Sequence, residues 1–246
     1  MCFFQRRGFQ FAAVLLSTTA LASPAFAQTH GPTTMSATQI VEQMDRHNQS
    51  QTEALKHYQA VRYYEAEYHG FATTIEARME VEVSFDGSSG KSFRILSQSG
   101  SKLLCEKVLK RAIESEKEAS QDRGATALTP ANYRLQLIGS EILNGRPSYI
   151  LNVEPLKETK FLYRGKIWVD ATDFAVAKIE AGPAKSPSFW ISRTLIRYTS
   201  AKTGDFWLPK LSRSETKVRI GGTALLIIDY GSYQIVAATP NRSAGD

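Results

Sequence analysis

The sequence predicts a mainly β, α+β fold: one highly curved antiparallel sheet forming an unclosed β-barrel, with two amphipathic helices covering the concave face. Three observations carry this. Long runs alternate apolar and polar residues with period two, and the clearest interleaves Ile75, Ala77, Met79, Val81, Val83 and Phe85 with Glu76, Arg78, Glu80, Glu82 and Ser84. Turn chemistry such as Asn144-Gly145 separates the runs, and strand and helix patterns do not alternate along the chain. Only the stretches 36–57 and 102–119 change to helical spacing. A sheet of about ten strands does not stay flat, so its apolar face must be filled by side chains, a helix or a ligand.

The first residues precede that domain. Arg6 and Arg7, an apolar run from Phe9 to Leu21, and Ala25-Phe26-Ala27 have the three-part layout of a secretory signal. The run is shorter than the roughly 20 residues that span a bilayer. The organisation expected is a cleaved signal over 1–27, a leader over 28–35, one half-barrel domain over 36–236 and an unpatterned tail over 237–246. Cys2 lies in the charged head, so no acyl-cysteine forms at the junction, and a soluble, monomeric protein of the periplasm is expected. Cys105 is the only cysteine beyond the signal, which excludes a disulfide within the mature chain. The formal charge of +6 falls by two when Arg6 and Arg7 leave. The remaining Lys and Arg are scattered rather than clustered in a run, so no nucleic-acid partner is expected, although weak attraction to anionic lipid is compatible with them.

The helix over 36–57 has Ser36 as its N-cap and places Ile40, Met44, Gln51 and Leu55 near one side. Its apolar stripe is thin, which predicts a lid lying on a surface, touching what it covers through Ile40, Met44 and Leu55. Strands follow over 58–68, where Ala60, Tyr64, Ala66 and Tyr68 share a face, then over 75–85 and 92–98, with the turn Asp86-Gly87-Ser88-Ser89-Gly90 between the last two. The second helix puts Leu104, Cys105, Val108, Leu109, Ala112 and Ile113 on one side. Seven strands complete a meander, over 133–143, 147–155, 161–170, 174–182, 189–200, 206–218 and 224–236.

Residues that carry chemistry are few. His30, His47, His57 and His69 lack the spacing that brings two imidazoles to one helix face, and no metal ligand is assigned. Cys105 sits in an apolar stripe and reads as packing. Asp170, Asp173 and Asp205 lie beside turns, where Asp serves local hydrogen bonds. No nucleophile elbow, phosphate loop or dinucleotide fingerprint occurs. No catalytic residue and no cofactor is assigned, and an enzyme is not expected. A hydrolase would need polar groups converging in the groove.

The segments 143–155 (Leu-Asn-Gly-Arg-Pro-Ser-Tyr-Ile-Leu-Asn-Val-Glu-Pro), 163–170 (Tyr-Arg-Gly-Lys-Ile-Trp-Val-Asp) and 174–180 (Phe-Ala-Val-Ala-Lys-Ile-Glu) resemble the core hairpins of outer-membrane-lipoprotein-sorting proteins of the LolA and LolB type. The likeness extends to the signal, the opening helix and Trp207-Leu208-Pro209. It implies a half-barrel whose concave side is plugged by helices and holds acyl chains of lipoproteins or lipids. The long second helix and the extended C-terminal strands depart from the carrier, and no polar binding residue transfers. The same scaffold serves sensors of the MucB/RseB type, which implies membrane-anchored envelope proteins as alternative partners.

An acyl chain needs an apolar lining, for which the alternating strand supplies Ile75, Met79, Val81, Val83 and Phe85, extended by Phe93 and Ile95. Trp168, Trp190 and Trp207 add large surfaces from later strands. Trp168 is out of phase with Ile167 and Val169, so one of these two sets faces outward. The competing reading is that all these side chains fill the core with the two helices.

Overall fold

The computed structural model describes residues 35–121, 123–159, 161–186, 189–219 and 221–237, so the expected signal, nearly all of the leader and the tail beyond 237 lie outside the described residues. Helix α1 (Ala37–Ala54) starts where the sequence places its cap. The Ser36 hydroxyl accepts the Gln39 amide at 3.3 Å and the Gln39 side chain accepts the Ser36 amide at 2.8 Å, a reciprocal box that satisfies two otherwise orphaned donors. Leu55 turns extended and opens strand β1 (Leu55–His69), so it is a strand residue and not the last contact of the helix. Strands β2 (Thr74–Asp86) and β3 (Gly90–Gly100) follow. A helical stretch comes next: α2 (Lys102–Leu104), a π-helical turn (Cys105–Leu109), α3 (Lys110–Gln121) and the short α4 (Arg123–Thr126).

The remainder is β4 (Tyr133–Leu143), β5 (Arg146–Pro155), β6 (Tyr163–Asp170), β7 (Val176–Pro183), β8 (Ile191–Thr203), β9 (Phe206–Val218), β10 (Thr223–Asp229) and β11 (Tyr233–Ala237). All eleven strands form one antiparallel sheet in the order β3-β2-β1-β10-β9-β8-β7-β6-β5-β4, with β11 also paired to β1. This corrects the expected meander of consecutive antiparallel strands: β3 and β4, consecutive in sequence, are the two opposite edges of the sheet. A period-two pattern fixes which face a side chain takes, not which strand lies beside it. The sheet is left unclosed, and the helical stretch carries the chain from one edge to the other.

The strand expected over 224–236 is interrupted. Tyr63 pairs with Asp229 and Ala60 with Tyr233, so Tyr230, Gly231 and Ser232 face only Val61 and Arg62. One extra residue is accommodated because Gly231 adopts φ +61°; a Cβ there would run into the Val61 carbonyl oxygen. The bulge places the Tyr230 ring 4.6 Å from the Arg62 guanidinium.

Two apolar clusters form. In the first, Ala77, Met79, Val81 and Val83 pack with Leu104, Cys105, Leu109 and Ile113 of the helical stretch. In the second, Ile40, Val41 and Met44 of α1 pack with Tyr133, Leu151, Val153, Leu162, Ile167 and Val169. Ile40 and Met44 have no exposed surface, so the first half of α1 is core and only its second half can act as a lid. Leu55 belongs to the first cluster, away from Ile40 and Met44. Gly231→Ala is expected to cost more than about 1 kcal/mol, from the left-handed backbone and the overlap with Val61, measured by urea unfolding. Unchanged stability would mean that the bulge relaxes without strain.

Candidate functional site

The register fixes which side chains face the concave side. Tyr64 opposes Met79 and Ile228, Ile228 opposes Ser212, Ser212 opposes Tyr198, Tyr198 opposes Ile179, and Ile179 opposes Ile167. Residues directly opposite share a face. The chain of pairs therefore puts Tyr64, Met79, Tyr198, Ile179 and Ile167 inside. Val169 shares the phase of Ile167, whereas Trp168 lies on the outer face, its indole N–H donating to Glu141 and its ring under the Lys178 ammonium at 3.9 Å.

The expected lining residues divide accordingly. Met79, Val81 and Val83 face the concave side but are closed over by the helical stretch, while Ile75, Phe85 and Phe93 pack at the margin of the same cluster. Ile95 lies on the edge strand β3 and is 41% exposed. Trp190 is 54% exposed, stacked edge-on with Phe189 outside the groove. Of the three tryptophans only Trp207 borders open space on the concave side.

That space is a cleft of about 760 Å³ between the second half of α1 and the floor formed by β6–β9. Asp45, His47, Gln51 and Thr52 contribute from the helix, Leu128 from the loop after α4, and Tyr163, Val176, Ile179, Tyr198 and Trp207 from the sheet. Burial pushes the hydroxyls of Tyr163 and Tyr198 well above the usual tyrosine range, although neither residue is fully covered. Both facts follow if the rings stand deep in the groove, surrounded by protein on most sides and open to the cleft on one. Burial lowers the His47 imidazole, only partly offset by Asp173, which favours its neutral form.

A polar clamp ties α1 to the sheet at one end of this cleft. The Gln51 side chain donates to the Trp207 carbonyl at 3.0 Å and accepts its amide at 2.8 Å, replacing a missing strand neighbour. The Trp207 indole donates to Asp173, which also receives Lys202 and Arg146, each at 2.9 Å. Asp170, wholly buried, accepts two bonds from Arg146 and the amides of Thr172 and Asp173. Asp170 thus bonds its own turn, as its position suggests, whereas Asp173 bonds residues distant in sequence.

The sequence reading passed over Arg62. It shares the phase of Ala60 and Tyr64, has no exposed surface, and donates to Glu116 of α3 at 2.8 Å, with Lys91 of β3 bonding the other Glu116 oxygen at 2.8 Å. Among the described residues its Nε and Nη2, and the Tyr64 hydroxyl, meet no well-formed hydrogen bond, and the guanidinium lies near the Tyr230 and Phe93 rings. Strand phase alone would have placed it inside. Tyr163, Ile179 and Tyr198 were also missed, though Tyr163 shares the phase of Ile167.

Burial raises the Glu116 carboxyl, but Lys91 and Arg62 outweigh it and hold the group below its ordinary value. Its contribution to stability is therefore complete above the unfolded carboxylate range and is lost as pH falls through the folded value. Glu116→Gln leaves Arg62 buried without a counter-charge and is expected to cost about 3 kcal/mol near neutral pH, with a smaller loss of stability on acidification below about pH 4 than the native protein shows. Urea titrations at several pH values check this; equal stability at pH 7 would contradict it.

No protein-family model and no curated protein matches the chain. Solved structures similar to it include a DUF1329 family protein from Desulfovibrio piger (12% identity, 84% of this chain and 95% of that one, TM-score 0.43). A LolA superfamily protein from Nitrosomonas europaea follows at 14% identity, 82% and 94% coverage and TM-score 0.41. An outer membrane lipoprotein-sorting protein domain from Vibrio parahaemolyticus aligns at 9% identity, 80% and 93% coverage and TM-score 0.40.

Proposed function

We propose that this chain is an exported, non-enzymatic binding protein of the periplasm that holds an acyl chain of a lipid or lipoprotein in the cleft between α1 and strands β6–β9, in lipoprotein sorting or lipid transport. The observation that carries this is the division of the concave face: one part is filled by the helical stretch, and another is open beneath the second half of α1. The cleft volume lies within the roughly 300–1,000 Å³ of small-molecule sites. Tyr163, Val176, Ile179, Tyr198 and Trp207 offer apolar surface on which each buried methylene gains about 0.8 kcal/mol. Among the described residues no group of three or more His, Cys, Asp or Glu is placed to hold a metal ion, and no helix is long and apolar enough to cross a membrane.

The open edge favours a second reading, a module that pairs with an extended segment of a membrane-anchored envelope protein. Strand β3 ends the sheet with Ile95 and Leu96 41% and 42% exposed, and unpaired edges accept added strands. Crosslinking in intact cells separates the readings: transient lipoprotein partners favour the carrier, and one integral-membrane partner trapped at β3 favours the module.

Native mass spectrometry of protein taken from its own cell envelope is expected to show adducts of acyl-chain mass. Ile179→Trp, which fills the cleft, is expected to reduce uptake of a fluorescent fatty acyl probe at least about tenfold. Gln51→Ala, which removes the hydrogen bonds from α1 to Trp207 while sparing the apolar lining, is expected to speed uptake. An apo mass with no uptake of added lipid, or full uptake by a folded Ile179→Trp protein, would contradict the proposal.

A further inference from the structure

Cations that are scattered in sequence are assembled by the sheet. On the outer face of β8 and β9, Arg193 lies directly opposite Lys217, and Arg197 directly opposite Arg213. All four are exposed, and the acids nearest them on this face are Glu180, which Arg197 approaches at 3.9 Å, and Glu215. Among the described residues Arg193, Arg213 and Lys217 have no ion-pair partner. Like charges directly opposed on neighbouring strands destabilise a sheet, and these two pairs, with the Leu195–Glu215 pair between them, leave four cations facing two acids.

Beside this face, one rim of the sheet presents solvent-exposed aromatic side chains. Phe71, in the loop joining β1 to β2, is 92% exposed, and Phe189 and Trp190, preceding β8, are 73% and 54% exposed. These loops are held together. The Arg219 amide donates to the Trp190 carbonyl at 2.8 Å, the Arg219 guanidinium stacks on the Phe189 ring at 4.9 Å, and Gly221, at φ +110°, lies so close to the Phe71 ring that a Cβ would overlap it. The aromatics therefore form one fixed patch, continuous through Arg219 with the cationic face.

We propose that this rim and the outer face of β8–β9 dock the protein on an anionic lipid bilayer, with Phe71, Phe189 and Trp190 at headgroup depth and Arg193, Arg197, Arg213, Lys217 and Arg219 over the phosphates. Aromatic rings favour that interfacial layer, and each basic residue close to an anionic leaflet adds attraction. Cations alone would suit any polyanion; the exposed rings beside them select a surface with an apolar layer beneath its charge. The docking is independent of whether the cleft holds a lipid.

The test is cosedimentation with vesicles, using protein recovered from cells that express the whole chain. Vesicles containing phosphatidylglycerol are expected to carry the protein down at low salt and to release it as ionic strength passes physiological values, where screening acts within about 8 Å. Vesicles of phosphatidylcholine alone are expected to leave it in solution. The double variant Arg213→Glu, Lys217→Glu turns both like-charged pairs into opposite-charged ones. It is expected to lower binding by more than about tenfold while its melting temperature stays equal or rises, an outcome that a structural role for these cations would reverse. Phe189→Ser with Trp190→Ser is expected to weaken binding and to abolish a blue shift of tryptophan emission on vesicle addition. Equal binding to both vesicle types, equal binding by the charge-reversed variant, no binding at all, or equal retention on immobilised single-stranded DNA would each overturn the proposal.

Discussion

The pairing of β1 with β10 and β11 is the constraint on which the rest of the molecule depends. It joins the first three strands to the last two and so makes β3 and β4 the free edges of one sheet. The chain between those edges has to travel across the groove, and it does so as the helical stretch that fills the half beneath β1–β3. Were β3 to pair with β4 as well, the barrel would close and the crossing would have no room inside. The bulge at Tyr230-Gly231-Ser232 belongs to the same seam, letting one continuous strand line follow β1 past the buried Arg62.

Arg62 marks how the concave face is divided. An arginine without exposed surface is tolerated because Glu116 and two aromatic rings surround it, and Glu116 in turn is held by Lys91 at the edge of the sheet. Such a cluster contributes little net stability against an apolar alternative, since both charges had to be desolvated, but it penalises any other placement of α3. On the opposite side, α1 is anchored by apolar contacts at its start, by the Gln51 amide side chain near its end, and by its direct run into buried Leu55 of β1. The two helices therefore differ in kind: one is fixed along its length by charge and packing, and the other bridges open space between an apolar start and the strand it runs into.

Much of this was legible in the sequence. The alternation over 75–85 gave the inward face of β2 residue by residue, the Ser36 cap gave the start of α1, and the spacing of Leu104, Cys105, Leu109 and Ile113 gave the buried side of the second helix. Which strands are neighbours was not legible, because β1 and β10 are brought together by long-range pairing that local periodicity does not encode. The open cleft was not legible for the same reason. Val81 and Val83 look like the best lining in the chain, yet that apolarity serves the helix packed on them. The open cleft is lined by tyrosines and short alternations over 163–198, whose period is broken by the bulge between Trp168 and Val169. Arg62 was overlooked because a charged residue is seldom buried, and the basic outer face because its members are far apart in sequence.

The central claim is that the acyl site is the cleft under α1 and not the groove under β1–β3. A fatty acid bearing a photoreactive group at its distal end, crosslinked to the native protein and mapped by peptide mass spectrometry, tests it most directly. Attachment at Tyr163, Ile179, Tyr198 or Trp207 is the result predicted. Attachment at Met79, Val81 or Val83 would show that the helical stretch leaves the groove to admit lipid, and would contradict the account.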